Sequence, residues 1–385
     1  MNPSTSITAL PREILLRILT GLPAKSTVRF RCTSKFFYSF IPEPRFEFTI
    51  LVSLPSESNL YSVSYREDNH GNLQADIAQR LDVLGLLCSA DDKMCLLSRE
   101  LVDDNAIFDL STGRHIWLPS IIGWPPSRVP SSLNWSSAVL GFDSVSRRYK
   151  VFKSTAYYDS GYQRVLNKLW VLTVGVDKSW REIDFAIIRY ARVAICINGI
   201  IYLITRHSHP VKSLFDSSSK IVAIDLATES FIRSIPFPSE CRSTQQHQLP
   251  WIKLPWIKLN GRLAFINILN SQKGKSLASG IPLPWPDRID IWTLEGSIEY
   301  SVILPLEERE MIGEATFMEF TANSIGEIAF LIGRKRMMSP LLLVYSFGRE
   351  VWRRFEIHGV CNYSFHSSYR RSIVYVGDEI ASFLE

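Results

Sequence analysis

The apolar residues of this 385-residue chain change their period near residue 46. Upstream, Ile14, Leu15, Ile18, Leu19 and Leu22 recur with the period of one helical face. Pro11 suits a first helical position, where its missing N–H costs nothing, and Gly21 suits a stop. Two more helices are expected over residues 24–34 and 35–41, the last ended by Pro42. Three short helices enclose little core, so this unit must bury its apolar face on a partner or a neighbouring domain.

Downstream the chain alternates short apolar runs with turn clusters. One unit recurs as a strand, a polar turn and a second strand ending in Pro: residues 106–119 (AIFDLSTGRHIWLP) and 221–236, with weaker copies near residues 168, 288 and 341. A second unit is a hairpin turning at Asn198-Gly199, Asn260-Gly261 or Gly326, where both turn residues must accept positive φ. The first unit starts at residues 107, 168, 221, 288 and 341, so its spacing of 53 to 67 residues fits four-stranded propeller blades. Five blades fill residues 82–357. The leftover strands, 46–54 and 60–66 at the front and a pair within 372–383 at the back, are expected to join as a sixth, with seven blades the next choice. The expected fold is mainly β with a small α N-terminal segment: a helical unit over 4–45 and a β-propeller-like domain over 46–385. In the repeated motif LPWIK (249–253 and 254–258), either copy could enter the strand.

Composition agrees with a folded β protein: 46% apolar, 21% charged and 12% aromatic residues, with 20 Pro and 19 Gly for turns. A net charge of +5 spread along the chain predicts no nucleic-acid partner, and Arg334-Lys335-Arg336 reads as a wet turn. No run resembles a signal peptide or a membrane span, so an intracellular protein of nucleus or cytoplasm is expected. Six cysteines without a CxxC pair predict reduced thiols, neither disulfides nor a zinc site.

Catalytic constellations are sparse. No phosphate loop, GxSxG elbow or HExxH occurs. His207-Ser208-His209 could hold a metal but reads better as loop histidines, and no metal or cofactor is expected. Asp109, Asp143 and Asp225 sit beside turns, where Asp bonds its own backbone. Trp117, Trp170, Trp180, Trp292 and Trp352 lie inside strand patterns and read as blade packing. Longer polar intervals at 154–167, 206–219, 270–287 and 333–340 interrupt the blades at one phase, which places them on one face. Tyr157, Tyr158, Tyr162, Arg164, His207, Lys212, Lys273 and Trp285 are the candidate target-binding residues there.

Leu10-Pro11-Arg12-Glu13-Ile14-Leu15, Ile18-Leu19, Leu22-Pro23-Ala24-Lys25-Ser26 and Arg29-Phe30-Arg31-Cys32-Thr33-Ser34-Lys35 together resemble the plant-type F-box. Thr27, Thr33 and Phe37 stand where that pattern favours Leu, Val and Trp. The remainder is similar to the plant F-box-associated, kelch-like domain. The matching marks are Gly85-Leu86-Leu87-Cys88, Phe108-Asp109-Leu110-Ser111-Thr112, Gly141-Phe142-Asp143, Tyr149-Lys150-Val151, Ser179-Trp180-Arg181, Asn198-Gly199 and Asp225-Leu226. The resemblance implies a non-catalytic substrate receptor of a ubiquitin ligase. It would dock on a Skp-type adaptor through Leu10, Pro11, Ile14, Leu15, Ile18, Leu19, Leu22 and Pro23, reach a cullin scaffold through that adaptor, and present an unidentified protein substrate. Two rival readings are a propeller enzyme, a hydrolase or lyase, and a scaffold that leads to no degradation.

Overall fold

A computed structural model of the protein describes residues 10–20, 33–40, 45–54, 59–68, 70–81, 85–90, 94–98, 105–109, 112, 114–123, 134–159, 164–184, 191–205, 220–236, 256–269, 287–294, 298–313, 315–323, 326–334, 339–359 and 373–382. Two short helices lead, α1 (Arg12–Thr20) and α2 (Lys35–Phe40). The helix expected over 24–34 lies almost wholly outside the described residues.

The rest is a set of antiparallel sheets, six among the described residues. Blade two is β5 (Gly85–Ala90), β6 (Met94–Ser98), β7 (Asn105–Asp109) and β8 (Arg114–Trp117). Blade three is β9 (Asn134–Asp143), β10 (Arg148–Asp159), β11 (Arg164–Thr173) and β12 (Arg181–Ile183). Blade four is β13 (Ala191–Ile197), β14 (Ile200–Thr205), β15 (Lys220–Asp225) and β16 (Phe231–Pro236). Blade five is β17 (Trp256–Leu259), β18 (Arg262–Leu269), β19 (Arg288–Thr293) and β20 (Ile298–Ile303), so the second LPWIK copy enters the strand. Blade six is β21 (Ala315–Ala322), β22 (Ile328–Arg334), β23 (Leu341–Ser346) and β24 (Val351–Glu356), reached from blade five through the short helix α3 (Leu306–Gly313). The repeated strand starts read from the sequence are the third strands, β7, β11, β15, β19 and β23.

Blade one joins both ends of the chain: β1 (Arg45–Leu54), β2 (Asn59–Glu67), β3 (Leu73–Ala75), β4 (Gln79–Leu81) and β25 (Ile373–Ser382). The C-terminal segment supplies one strand here, where a pair was expected. Its ten residues are used along β1, from Arg45 opposite Ser382 to Val52 opposite Ile373, which leaves nothing to form a hairpin. The outer position is filled by β3 and β4, which pair in line with opposite ends of β2. The innermost strands β25, β5, β9, β13, β17 and β21 touch in succession and return to β25, closing a six-bladed ring.

Strand order sorts the connections between the two ends of the ring. Turns between first and second and between third and fourth strands lie at one end, the short-turn end. Links from second to third strands, 55–58, 99–104, 160–163, 206–219, 270–287 and 335–340, join strand ends at the opposite, long-loop end. At the short-turn end Asn198 and Gly199 take φ of 50° and 75°, and Asn260 and Gly261 take 49° and 74°. These positive values are the reason for Asn-Gly there. The Asn198 amide also donates to the Gly261 carbonyl at 3.3 Å, so a turn that closes one blade also touches the next.

Blades cohere by burying apolar side chains across their seams. One cluster combines Leu96 and Ile107 of blade two, Val151 and Leu172 of blade three and Val222 and Ile224 of blade four. Each such side chain contributes about 1.5–3 kcal/mol when fully buried. Trp170 and Trp180 are each only 8% exposed, as expected of blade packing, and Trp292 and Trp352 are partly buried. Trp117 departs from that expectation at 49% exposure, because β8 is the outermost strand of its blade and all four of its residues face solvent.

Truncating the chain after residue 372 removes β25 and bares the inner edge of β1. The expected outcome is loss of the cooperative thermal transition together with aggregation, measured by calorimetry and size-exclusion chromatography.

Candidate functional site

The helix α1 has two apolar faces. The Pro11 carbonyl accepts from the backbone N–H groups of Ile14 and Leu15 at 3.1 Å each, which sets the first turn. Glu13 in that turn complements the positive end of the helix. Leu15 and Leu19 are 2% exposed, whereas Leu10, Ile14 and Ile18 are 39%, 45% and 43% exposed. Adjacent helical positions are separated by about 100°, so Leu15 and Leu19 anchor the helix within the chain while Leu10, Ile14 and Ile18 form a stripe to one side, open to solvent. The eight candidate adaptor residues therefore divide. Leu10, Pro11, Ile14 and Ile18 are exposed, Leu15 and Leu19 are anchors, and Leu22 and Pro23 lie outside the described residues.

Next in the chain, the Ser34 hydroxyl accepts from the Phe37 backbone N–H at 3.2 Å, the N-cap that starts α2. Phe37 is buried and Phe36 exposed, their rings meeting edge-on at 5.2 Å. A large apolar side chain is thus kept inside at the position where the F-box pattern favours Trp.

At the long-loop end, the interval 154–167 is mostly strand. β10 and β11 extend as a hairpin that pairs Tyr157 with Leu166, Tyr158 with Val165 and Asp159 with Arg164. β-branched and aromatic residues carry the ladder outward, and the Trp170 indole N–H donates to the Thr155 hydroxyl at 2.9 Å in its buried part. Tyr157, Tyr158 and Arg164 therefore belong to paired strands near a hairpin tip. Tyr162, His207, Lys212, Lys273 and Trp285 lie outside the described residues, as does His209 of the candidate metal pair. Among the described residues no group of three His, Cys, Asp or Glu could hold a metal ion.

The short-turn end carries the densest electrostatics. Asp143 accepts from the backbone N–H groups of Val145 and Ser146 at 2.9 and 3.3 Å and from the Ser146 hydroxyl at 2.7 Å. Asp225 likewise accepts from the Thr228 N–H at 2.7 Å. Turn chemistry accounts for both acids. Behind them the buried Lys150 ammonium lies 3.3 Å from Asp143 and 3.0 Å from Glu229, and donates to the Leu226 and Ala227 carbonyls at 3.0 Å each. Arg181 holds both oxygens of Glu229 at 3.0 Å. These groups clamp blade three to blade four. Burial by itself would raise the carboxyl pKa of Glu229, but hydrogen bonds from Arg181 and Lys150 outweigh it and hold the group below the ordinary range. Burial is likewise outweighed at Asp143, by hydrogen bonds from Ser146, Val145 and Lys150. Nothing in the order of residues marks this clamp, because Glu229 reaches Lys150 and Arg181 only when blade four packs on blade three.

A small helical unit with an open apolar stripe precedes a ring of six blades whose second-to-third-strand links gather at one end. A family profile described as the F-box associated beta propeller domain matches residues 38–380, and one described as the F-box domain matches residues 7–49. The chain belongs to this family of plant-type F-box proteins with an associated propeller domain. It is 25% identical over 368 residues to an F-box protein of Arabidopsis thaliana, covering 87% of this chain and 81% of that one. A second Arabidopsis thaliana F-box relative is 22% identical over 402 residues, covering 98% of this chain and 93% of its own. Among solved structures, an oligogalacturonate lyase in complex with manganese aligns at a TM-score of 0.41 and 10% identity over 84% of this chain and 82% of that one, too distant to inform the chemistry. No helix among the described residues is long and apolar enough to cross a membrane.

Two outcomes test these sites. Leu15→Ala should destabilise the helical unit by about 2–5 kcal/mol in chemical denaturation, whereas Ile14→Asp, on the open stripe, should stay within about 1 kcal/mol. Glu229 has a lowered folded pKa, so the stability it contributes is complete above the ordinary carboxyl range and is lost as pH falls through it toward the folded value. Glu229→Gln should therefore cost about 1–3 kcal/mol at neutral pH and progressively less as pH falls below the ordinary carboxyl range, in paired urea melts.

Proposed function

We propose that the chain is the substrate-recognition subunit of a Skp-cullin-F-box type ubiquitin ligase. Residues 4–45 form the adaptor-docking segment, and residues 46–385 form the propeller that holds a protein target at its long-loop end. The chain makes and breaks no bond itself. It raises the effective concentration of target lysines near a ubiquitin-charged enzyme, and that local concentration is its contribution to the reaction.

The observation that carries this reading is the open stripe of Leu10, Ile14 and Ile18 on a helix anchored from behind by Leu15 and Leu19. A helix held by one apolar face and leaving another bare is suited to dock on a second polypeptide. Leu22 and Pro23 belong to the same proposed contact. The chain enters the ring at Arg45, opposite Ser382, at the short-turn end. An adaptor docked near that entry leaves the long-loop end clear for the target.

Co-expression with a Skp-type adaptor tests the docking half. The wild-type chain is expected to co-purify with it, and Ile14→Asp combined with Ile18→Asp should weaken capture by at least about 100-fold while the propeller melts as before. Capture that survives the double change would remove the basis for the reading.

A further inference from the structure

We propose that the outer rim of the seam between blades five and six, at the short-turn end, is a docking surface for a partner segment that presents an arginine side chain. This surface is separate from the helix stripe and from the long-loop end, so it goes beyond the ligase reading.

In its depth the seam is filled by aliphatic side chains such as Met318, Ile332 and Ile291, all buried. Toward the rim aromatic rings take over. Phe320 on the inner strand meets Phe330 edge-on at 5.5 Å, Phe330 meets Trp352 at 5.6 Å, and Trp352 meets Tyr345 at 4.7 Å. Phe347, in the turn from β23 to β24, then lies 5.1 Å from Tyr345 and 4.1 Å from Tyr300 of blade five. The series thus crosses from one blade to the other. Phe320 and Phe330 are buried, whereas Trp352, Tyr345, Phe347 and Tyr300 are half-buried and reach solvent.

Strand register explains the exposure. Ala322, Ile328, Tyr345 and Trp352 stand opposite one another across β21 to β24, in the row of this face nearest the short-turn end, so no further row covers them. A single ring left at a surface needs no account. Four in mutual contact, two of them Tyr and one Trp, have the composition that carries binding energy in interfaces.

Charge selects the occupant. Glu350, in the same turn as Phe347, and Glu299, the extra residue of the bulge beside Tyr300, are exposed, and among the described residues neither has an ion-pair partner. The Glu350 charge acts on the rings themselves, since burial and then that charge raise the pKa of the Tyr345 hydroxyl. Cations nearby are already committed, Arg349 and Arg353 to Glu67 and Arg354 to Glu307. The rim therefore offers aromatic faces with one uncompensated carboxylate on each blade. A guanidinium stacks on such faces, is more weakly hydrated than an ammonium, and can pair with a carboxylate from the same pose. An acidic segment would be repelled, and an apolar one would gain nothing from the two charges.

The test is subtractive panning of the full chain against a randomised dodecapeptide library. Phage that also bind the chain carrying Glu299→Gln and Glu350→Asn are removed, Asn being chosen because it accepts the positive φ of 57° at residue 350. Peptides that survive should share an Arg. Replacing that Arg by citrulline, which keeps the shape and removes the charge, should weaken binding about tenfold. The double variant should bind the parent peptide about tenfold more weakly while unfolding as the wild type does. No survivors, survivors without a shared Arg, or a citrulline peptide that binds as well as its parent would each overturn the proposal. A wild-type chain that elutes as a dimer and becomes monomeric on Phe347→Ser would assign the rim to a second copy instead, and would overturn it equally. None of these failures touches adaptor capture, on which the ligase reading stands or falls by itself.

Discussion

The pairing of β25 with β1 is the contact on which the rest of the architecture depends. It joins strands from opposite ends of the chain, along ten residues each, and places β25 innermost between β21 and β5. A ring of blades without it would have two bare edges and a seam with no inner strand. With it, the circle of inner strands is unbroken, and the apolar faces of neighbouring blades are held at a distance where side chains interdigitate. The closure also settles where the helical unit attaches, because the start of β1 can lie only where the end of β25 lies.

Packing across seams is mostly apolar, and ionic groups are added where turns from adjacent blades meet. Lys150, Glu229 and Arg181 join blade three to blade four, while Arg353 bridges Glu327 of its own blade and Glu67 of blade one, with Arg349 also on Glu67. These two seams lie opposite each other across the ring. Buried charges are tolerated there because each finds an opposite charge or a carbonyl, and removing one partner strands the other. The second clamp reinforces the seam beside the terminal closure, where β25 and β1 pair without covalent continuity.

The two ends of the ring differ in what they can do. The short-turn end is built from turns whose polar side chains bond locally or to the adjacent blade, as Asp143, Asp225 and Asn198 do. The long-loop end receives the second-to-third-strand links, and in blade five a polar row reaches toward it with one acceptor unmatched.

Much of this was readable in the order of residues. A period of two broken by Asn-Gly turns, repeating at blade-sized intervals, sufficed for strands, hairpins and a ring closed by the two ends of the chain, because hairpin pairing is local and turn chemistry specifies it. The apolar spacing of α1 likewise predicted a helix with a face to bury. The sequence could not divide that face into Leu15 and Leu19 turned inward and Ile14 and Ile18 turned outward, since both pairs are aliphatic and the division depends on what packs behind the helix. Nor could it show that the C-terminus supplies one strand, that Trp117 lies on a bare edge, or that Lys150 meets Glu229 and Asn267 is left without a donor. Each of those depends on which blade stands beside which and at what level. Local propensity is written residue by residue, whereas proximity across a seam exists only once the ring has closed.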